Sequence, residues 1–249
     1  MKRFARDLVR KLGYDVSPYT KVHQEFPIHN PLANNGIEIL KNPMFEASCK
    51  EIRKFTLLDT PRLANLWMLS QMTDNEGVIL EIGSYKGGGA KHLCNANPQR
   101  KVFVFDPFDS QSFENLEPSL DKNFFQGQFS DTSYESVKNL LKDTNSEIVR
   151  GYFPDSVGNF ELPKISFVYL DVDTYNATLN SLLYLHESRL LMDKHILLLD
   201  DFNRGCDGVN KAVEEFVKLT NCYFVMPMFP GQGVLLPHTH FASPDDVNY

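Results

Sequence analysis

The chain has no basic excess: 25 Lys and Arg stand against 32 Asp and Glu, for a net charge of −7 over 249 residues. Nucleic acids and anionic lipids are met by a cationic face, and no polybasic run offers one. No window approaches the ~18 consecutive apolar residues of a membrane-spanning helix. Met1-Lys2-Arg3 is followed by alternating charged and apolar residues, not by the unbroken apolar core of a secretion signal. Cysteine is scarce. Cys49, Cys94, Cys206 and Cys222 match no zinc-knuckle or redox spacing, so reduced, buried thiols and a cytoplasmic location are expected. Internal repeats and low-complexity tracts are missing too, and Trp67 is the single tryptophan.

What is present is concentrated between Ile165 and Phe202. Ile165 to Leu170 is a β-branched and aromatic run that ends on Asp171 and Asp173. Tyr175 to Met192 reads as an amphipathic helix, with apolar residues at 175, 179, 182, 183 and 190 on one stripe. His195 to Leu199 is a second buried strand and ends on Asp200-Asp201. Two strands joined by a helical crossover lie parallel with a right-handed connection, so their carboxyl ends open at one mouth of the sheet. Asp173 would serve equally as a cap for the helix from Tyr175, and Asp171 as a solvated strand end. Asp200 and Asp201 lie too far from the next helix, expected from Val209, to cap it. Carboxylates crowded at one edge repel unless a cation sits among them, which favours a metal or ligand site.

A second feature lies upstream. Val78-Ile-Leu-Glu81-Ile-Gly83-Ser84-Tyr85-Lys86-Gly87-Gly88-Gly89 is a buried strand running into a glycine-rich turn, with a helix from Ala90. It is neither the dinucleotide Gly-x-Gly-x-x-Gly nor a P-loop. The leading carboxylate, Glu81, would repel a pyrophosphate. It suits a ligand carrying an ammonium and a sulfonium, and S-adenosylmethionine has both. The next strand, Lys101 to Phe105, ends on Asp106, and an acid about 20 residues past such a loop commonly holds ribose hydroxyls.

The remaining elements complete an α/β chain. Phe4, Leu8, Val9 and Leu12 share one face of an N-terminal helix, and residues 14 to 44 form an aperiodic arm rich in Pro, Asn and His. Thr60-Pro61 opens a helix, with Thr60 as N-cap and Leu63, Leu66, Trp67 and Met72 inward. Residues 107 to 131 make a loop at the sheet mouth that would cover an acceptor. Ser133–Lys142 is a helix and Glu147–Arg150 a strand. Val209–Leu219 is a helix with Val209, Ala212, Val213 and Phe216 inward. Tyr223–Met226 and Gly233–Leu236 make an antiparallel hairpin around Pro230-Gly231. His186 falls on the central helix's stripe and reads as a core residue. The expected division is an appendage over residues 1 to 58, a lid or subunit contact, followed by the main domain over 59 to 249.

Taken together, Glu81-x-Gly83-x-x-x-Gly87-Gly88, Asp106, Gly127-x-Phe129-Ser130, Gly151-Tyr152-Phe153-Pro154-Asp155, Leu170-Asp171-Val172-Asp173-Thr174-Tyr175, Asp200-Asp201-Phe202, Gly205-Cys206 and Lys211-Ala212-Val213-x-x-Phe216 resemble the class I S-adenosylmethionine-dependent methyltransferases. Within them the chain resembles the macrocin O-methyltransferase family, which methylates sugar hydroxyls, over roughly residues 59 to 236. The resemblance implies a Rossmann-like, seven-stranded, mostly parallel sheet with an antiparallel C-terminal hairpin and helices on both faces. It implies cofactor contacts at Glu81, Gly83, Ser84, Tyr85, Gly87, Gly88, Asp106 and Asp171. It also implies Mg2+ held by Asp171, Asp200 and Asp201, with Asp173 as general base. The family often carries Trp-Arg where this chain has Tyr85-Lys86, so contacts at the methionine end differ.

The expected reaction is methyl transfer to a sugar hydroxyl, with a vicinal diol favoured, by a cytoplasmic homo-oligomer, a dimer. A catechol-type methyltransferase would share the acids but often places a lysine just after Asp171, and Thr174 offers none. A nucleotide-sugar oxidoreductase expects a dinucleotide fingerprint and a Tyr-x-x-x-Lys pair, and neither occurs. A non-catalytic binding protein on the same fold is the third alternative, and the retained acids argue against it.

Overall fold

The computed structural model describes residues 39–108, 113, 115–158 and 161–241. The helix expected around Phe4 to Leu12 and most of the arm over residues 14 to 44 lie outside these. The chain divides after Asn42, and the unit from Pro43 to Tyr249 carries the fold. No helix among the described residues is long and apolar enough to cross a membrane.

Seven strands form one sheet: β1 (Val78–Ile82), β2 (Val102–Asp106), β3 (Ser146–Arg150), β4 (Ile165–Leu170), β5 (Leu191–Leu199), β6 (Tyr223–Met228) and β7 (Gln232–Pro237), in the order β3-β2-β1-β4-β5-β7-β6. β1 to β5 run parallel; β7 is antiparallel to both β5 and β6. The expected parallel sheet with a terminal hairpin is therefore the observed one. The helices are α1 (Pro43–Ile52), α2 (Thr60–Gln71), α3 (Gly88–Ala96), α4 (Tyr134–Leu141), α5 (Tyr175–Glu187) and α6 (Asp207–Thr220). Every residue of β1 and β4 is buried, as expected of central parallel strands covered on both faces. β3 and β6, at the two edges, are only partly buried.

Local readings differ from the structure in several places; the helices expected from Ala90 and Val209, for instance, start at Gly88 and Asp207. α2 is capped by Asp59, whose Oδ1 accepts the Arg62 N–H at 3.1 Å, so Thr60 is already helical. Met72, expected inward, follows the last helical residue and is exposed. α5 ends at Glu187, and Leu191 and Met192 belong to β5, because Leu191 pairs with Ile165 of β4. An apolar run alone does not separate a helix end from a strand start. His186 is exposed on α5, with its ring against Phe216 and Tyr223, so its place on the stripe did not bury it. Of the four thiols, all free, only Cys94 is fully buried.

Trp67 is a core residue. It packs edge-on to Phe45 and against His92, joining α1, α2 and α3. The Ser48 hydroxyl donates to His92 Nδ1 at 2.8 Å, and Nε2–H donates to Leu63 O at 3.1 Å, a tautomer assigned from this network. Burial pushes the imidazole down to about 4. Folding therefore favours the neutral ring. This contribution is whole above pH 6.5 and is lost as pH falls from there towards 4, up to about 3 kcal/mol. Urea titrations at pH 7.5 and 5 should show that loss, and His92→Gln should flatten it. An equal pH slope in the variant would remove His92 as its source.

Candidate active site

The strand ends are locked in register just past the sheet. Gly83 N–H donates to Phe105 O, Asp171 N–H to Ile82 O and Asp200 N–H to Leu170 O, at 2.8 to 2.9 Å. The glycine turn after β1, the acid that ends β2 and the acidic pairs after β4 and β5 thus share one edge. A cleft of about 1190 Å3 opens there, lined among others by Glu81, Gly83, Ser84, Tyr85, Asp106, Asp171, Asp173, Asp200 and Asp201. Gly87 and Gly88 are not among its lining residues: Gly87 occupies the N-cap position of α3 and Gly88 N–H donates to Phe55 O.

At the glycine turn, Glu81 is fully buried and accepts the Ser84 hydroxyl at 2.5 Å. Burial pushes its carboxyl up to about 8; the charge of Asp106 adds to this and the Ser84 hydrogen bond opposes it. Asp106 Oδ2 accepts the backbone N–H groups of Ser84 and Tyr85 at 2.8 and 2.9 Å, and Oδ1 accepts that of Phe108 at 2.7 Å. The acid expected to hold a ligand also shapes the turn, and a carboxylate has lone pairs for both tasks. Tyr85 and Lys86 both donate to Asp131 at 2.5 Å, an exposed arrangement that adds little stability.

The acid cluster occupies the other half of the cleft. Oxygens of Asp171, Asp200 and Asp201 lie within 4.8 Å of one another. Asp173 joins them through a turn, not as a continuation of the strand that ends at Leu170. Its φ is +65°, and Thr174 N–H donates to Val172 O at 2.7 Å, so the segment turns tightly. Burial, then the charge of Asp200, holds the Asp171 carboxyl well above the usual range; for Asp173 the causes are burial, then Asp201. Asp173 does not cap α5. Asp121, buried in the loop after β2, accepts the Tyr175 N–H at 3.0 Å instead. That loop lines the cleft through Phe113, Asn115 and Phe129.

Arg62 was not legible as a site residue. Its guanidinium pairs with Asp200 Oδ2, stands 3.9 Å from Asp201, and donates to Leu57 O at 3.1 Å. Its position held a signal: a cation in the first turn of a helix opposes the helix dipole, so something else must hold it there.

This sheet order, with a glycine turn and acid pairs opening into one cleft at the strand ends, is that of a Rossmann-like α/β protein with its ligand site at the carboxyl ends of the strands. The family described as Macrocin-O-methyltransferase (TylF) matches residues 50–233. The chain belongs to that family, which makes it an O-methyltransferase enzyme. A search of the curated proteins gives no match. Among solved structures, the O-methyltransferase NovP is similar at 19% identity and a TM-score of 0.62, covering 74% of this chain and 82% of that one. The calicheamicin methyltransferase CalS11 is similar at 20% identity and a TM-score of 0.57, covering 90% and 94%. An SAH-bound methyltransferase of Podospora anserina, PaMTH1, is similar at 14% identity and a TM-score of 0.55, covering 84% and 97%. At these identities the likeness shows the fold.

Proposed function

We propose that the chain moves a methyl group from S-adenosylmethionine to a hydroxyl of a sugar on a small-molecule natural product, with a divalent cation, Mg2+, at the acid cluster, as a cytoplasmic homodimer. One observation carries the reading: the glycine turn with its buried Glu81 and the cluster with Asp173 face the same cleft. The family and the calicheamicin enzyme support a glycosylated acceptor, and the SAH in PaMTH1 supports the donor.

The donor set fits a hard cation. Three carboxylates converge and Asp173 stands beside them, while Arg62 is the cation in contact with the cluster among the described residues. The ligand atoms are all oxygens, the chemistry of Mg2+ and not of zinc. Asp171, Asp200 and Asp201 would hold it, and when bound it supplies the Lewis acidity that makes an alcohol proton easier to remove. Glu81 would hold the ammonium of the methionine end, and Asp106 the ribose hydroxyls. Asp173 accepts the proton from the acceptor hydroxyl. The cleft aligns donor and acceptor, and such positioning is worth ~7–11 kcal/mol of barrier.

Calorimetry with S-adenosylmethionine tests the donor site. Glu81→Ala and Asp106→Ala should each weaken binding about 10- to 100-fold, the worth of a lost charge-assisted hydrogen bond. Unchanged affinity in both would remove the assignment. The metal is tested separately: Asp200→Asn should lose both turnover and its dependence on Mg2+, and EDTA should stop the wild type. Undiminished methyl transfer in EDTA would end the metal role.

A further inference from the structure

Behind the cluster lies a chain of amides that the reaction as described does not use. Asn65 of α2 and Gln232, the first residue of β7, are both buried. Asn65 Nδ2 donates to Phe229 O at 2.8 Å and to Gln232 Oε1 at 2.9 Å. The backbone carbonyl fixes which end of Asn65 faces Gln232, and that in turn fixes Gln232. Its Nε2 then donates to Asp200 Oδ1 at 2.8 Å. The opposite oxygen of Asp200 is taken by Arg62. On the neighbouring strand, the Tyr169 hydroxyl donates to Asp171 Oδ2 at 3.1 Å.

Burying two side-chain amides is costly unless each hydrogen bond is made. Apolar side chains would fill the space between α2 and β7 with less at stake. The amides deliver something that apolar groups cannot, a directed N–H to one oxygen of one cluster carboxylate. A carboxylate held by donors from two elements cannot rotate freely, while each oxygen keeps a further lone pair. Outer donors of this kind orient metal ligands, and losing one typically costs 10–100-fold in metal affinity.

We propose that Gln232, oriented by Asn65, is a positioning residue that presents Asp200 to the divalent cation. The proposal rests on the metal reading above. Mn2+ titration of the full chain, followed by the electron paramagnetic resonance of the free ion, reads it without any turnover. Gln232→Met keeps length and shape but removes the donor. It should weaken Mn2+ binding 10- to 100-fold and leave S-adenosylmethionine affinity as in the wild type. Asn65→Ala should weaken Mn2+ less. In the double variant it should add nothing, because both changes act through the same N–H. This absence of additivity separates a relay from two independent packing defects, and Asn65→Ala carries the test if Gln232→Met does not fold. If the wild type binds Mn2+ and the variants bind it equally well, positioning by Gln232 is overturned while the metal site stands. Additive losses would also overturn it. A wild type without Mn2+ affinity would overturn both.

Discussion

Asp173→Asn should lower turnover by about 10²–10⁴, the usual worth of a general base, with S-adenosylmethionine and Mn2+ affinity unchanged. Asparagine keeps the shape and a carbonyl oxygen but cannot take a proton at neutral pH. The effect belongs to Asp173 because of where the tight turn puts it: beside Asp201, yet outside the trio whose oxygens converge. Burial first, then the charges of Asp201 and Asp200, raise its carboxyl well above the usual range. A carboxylate whose proton is held more tightly is a stronger proton acceptor once ionised. The sign follows: kcat rises with pH as Asp173 loses its proton, and that limb should vanish in Asp173→Asn. Near-normal turnover in the variant, or an unchanged limb, would reject Asp173 as the base.

Gly83→Ala should be among the most damaging single methyl groups that the described residues could receive. Gly83 has φ +85°, and a Cβ there would press into the carbonyl oxygen of Asp171. Neither side can yield, because Gly83 N–H is bonded to Phe105 O and Asp171 N–H to Ile82 O. A methyl group driven into fixed backbone belongs with the strained and overpacked cases, so a loss above about 4 kcal/mol is expected. Cofactor binding should fall with it. Gly205 is the control: φ is +92° but nothing lies within 4 Å of its Cβ position. Gly205→Ala should cost only the backbone conformation, about 1–2 kcal/mol. Urea midpoints of the two variants decide the point, and similar losses would show that the close approach at Gly83 is not what matters.

The sequence by itself determined the elements that end on chemistry. The runs 78–82, 102–105, 165–170 and 195–199 are mostly apolar and bounded by turn residues or acids. The strand type, the parallel order implied by helical crossovers, and the gathering of Glu81, Asp106, Asp171 and Asp200 at one edge all follow from that local pattern. Only the tertiary structure decided who meets whom across the chain. Arg62 finds Asp200 at a separation of 138 residues, and Asn65 finds Gln232 at 167. α5 gives way to β5 at Leu191 because β4 offers it a partner. Asp121, in an aperiodic loop, reaches the first turn of α5 in place of Asp173, which swings into the cluster at positive φ. The reason is physical. Periodicity and turn chemistry act over a few residues and are written where they act. Buried polar groups must instead find partners once the core has closed, and those partners are set by packing between elements far apart in the chain.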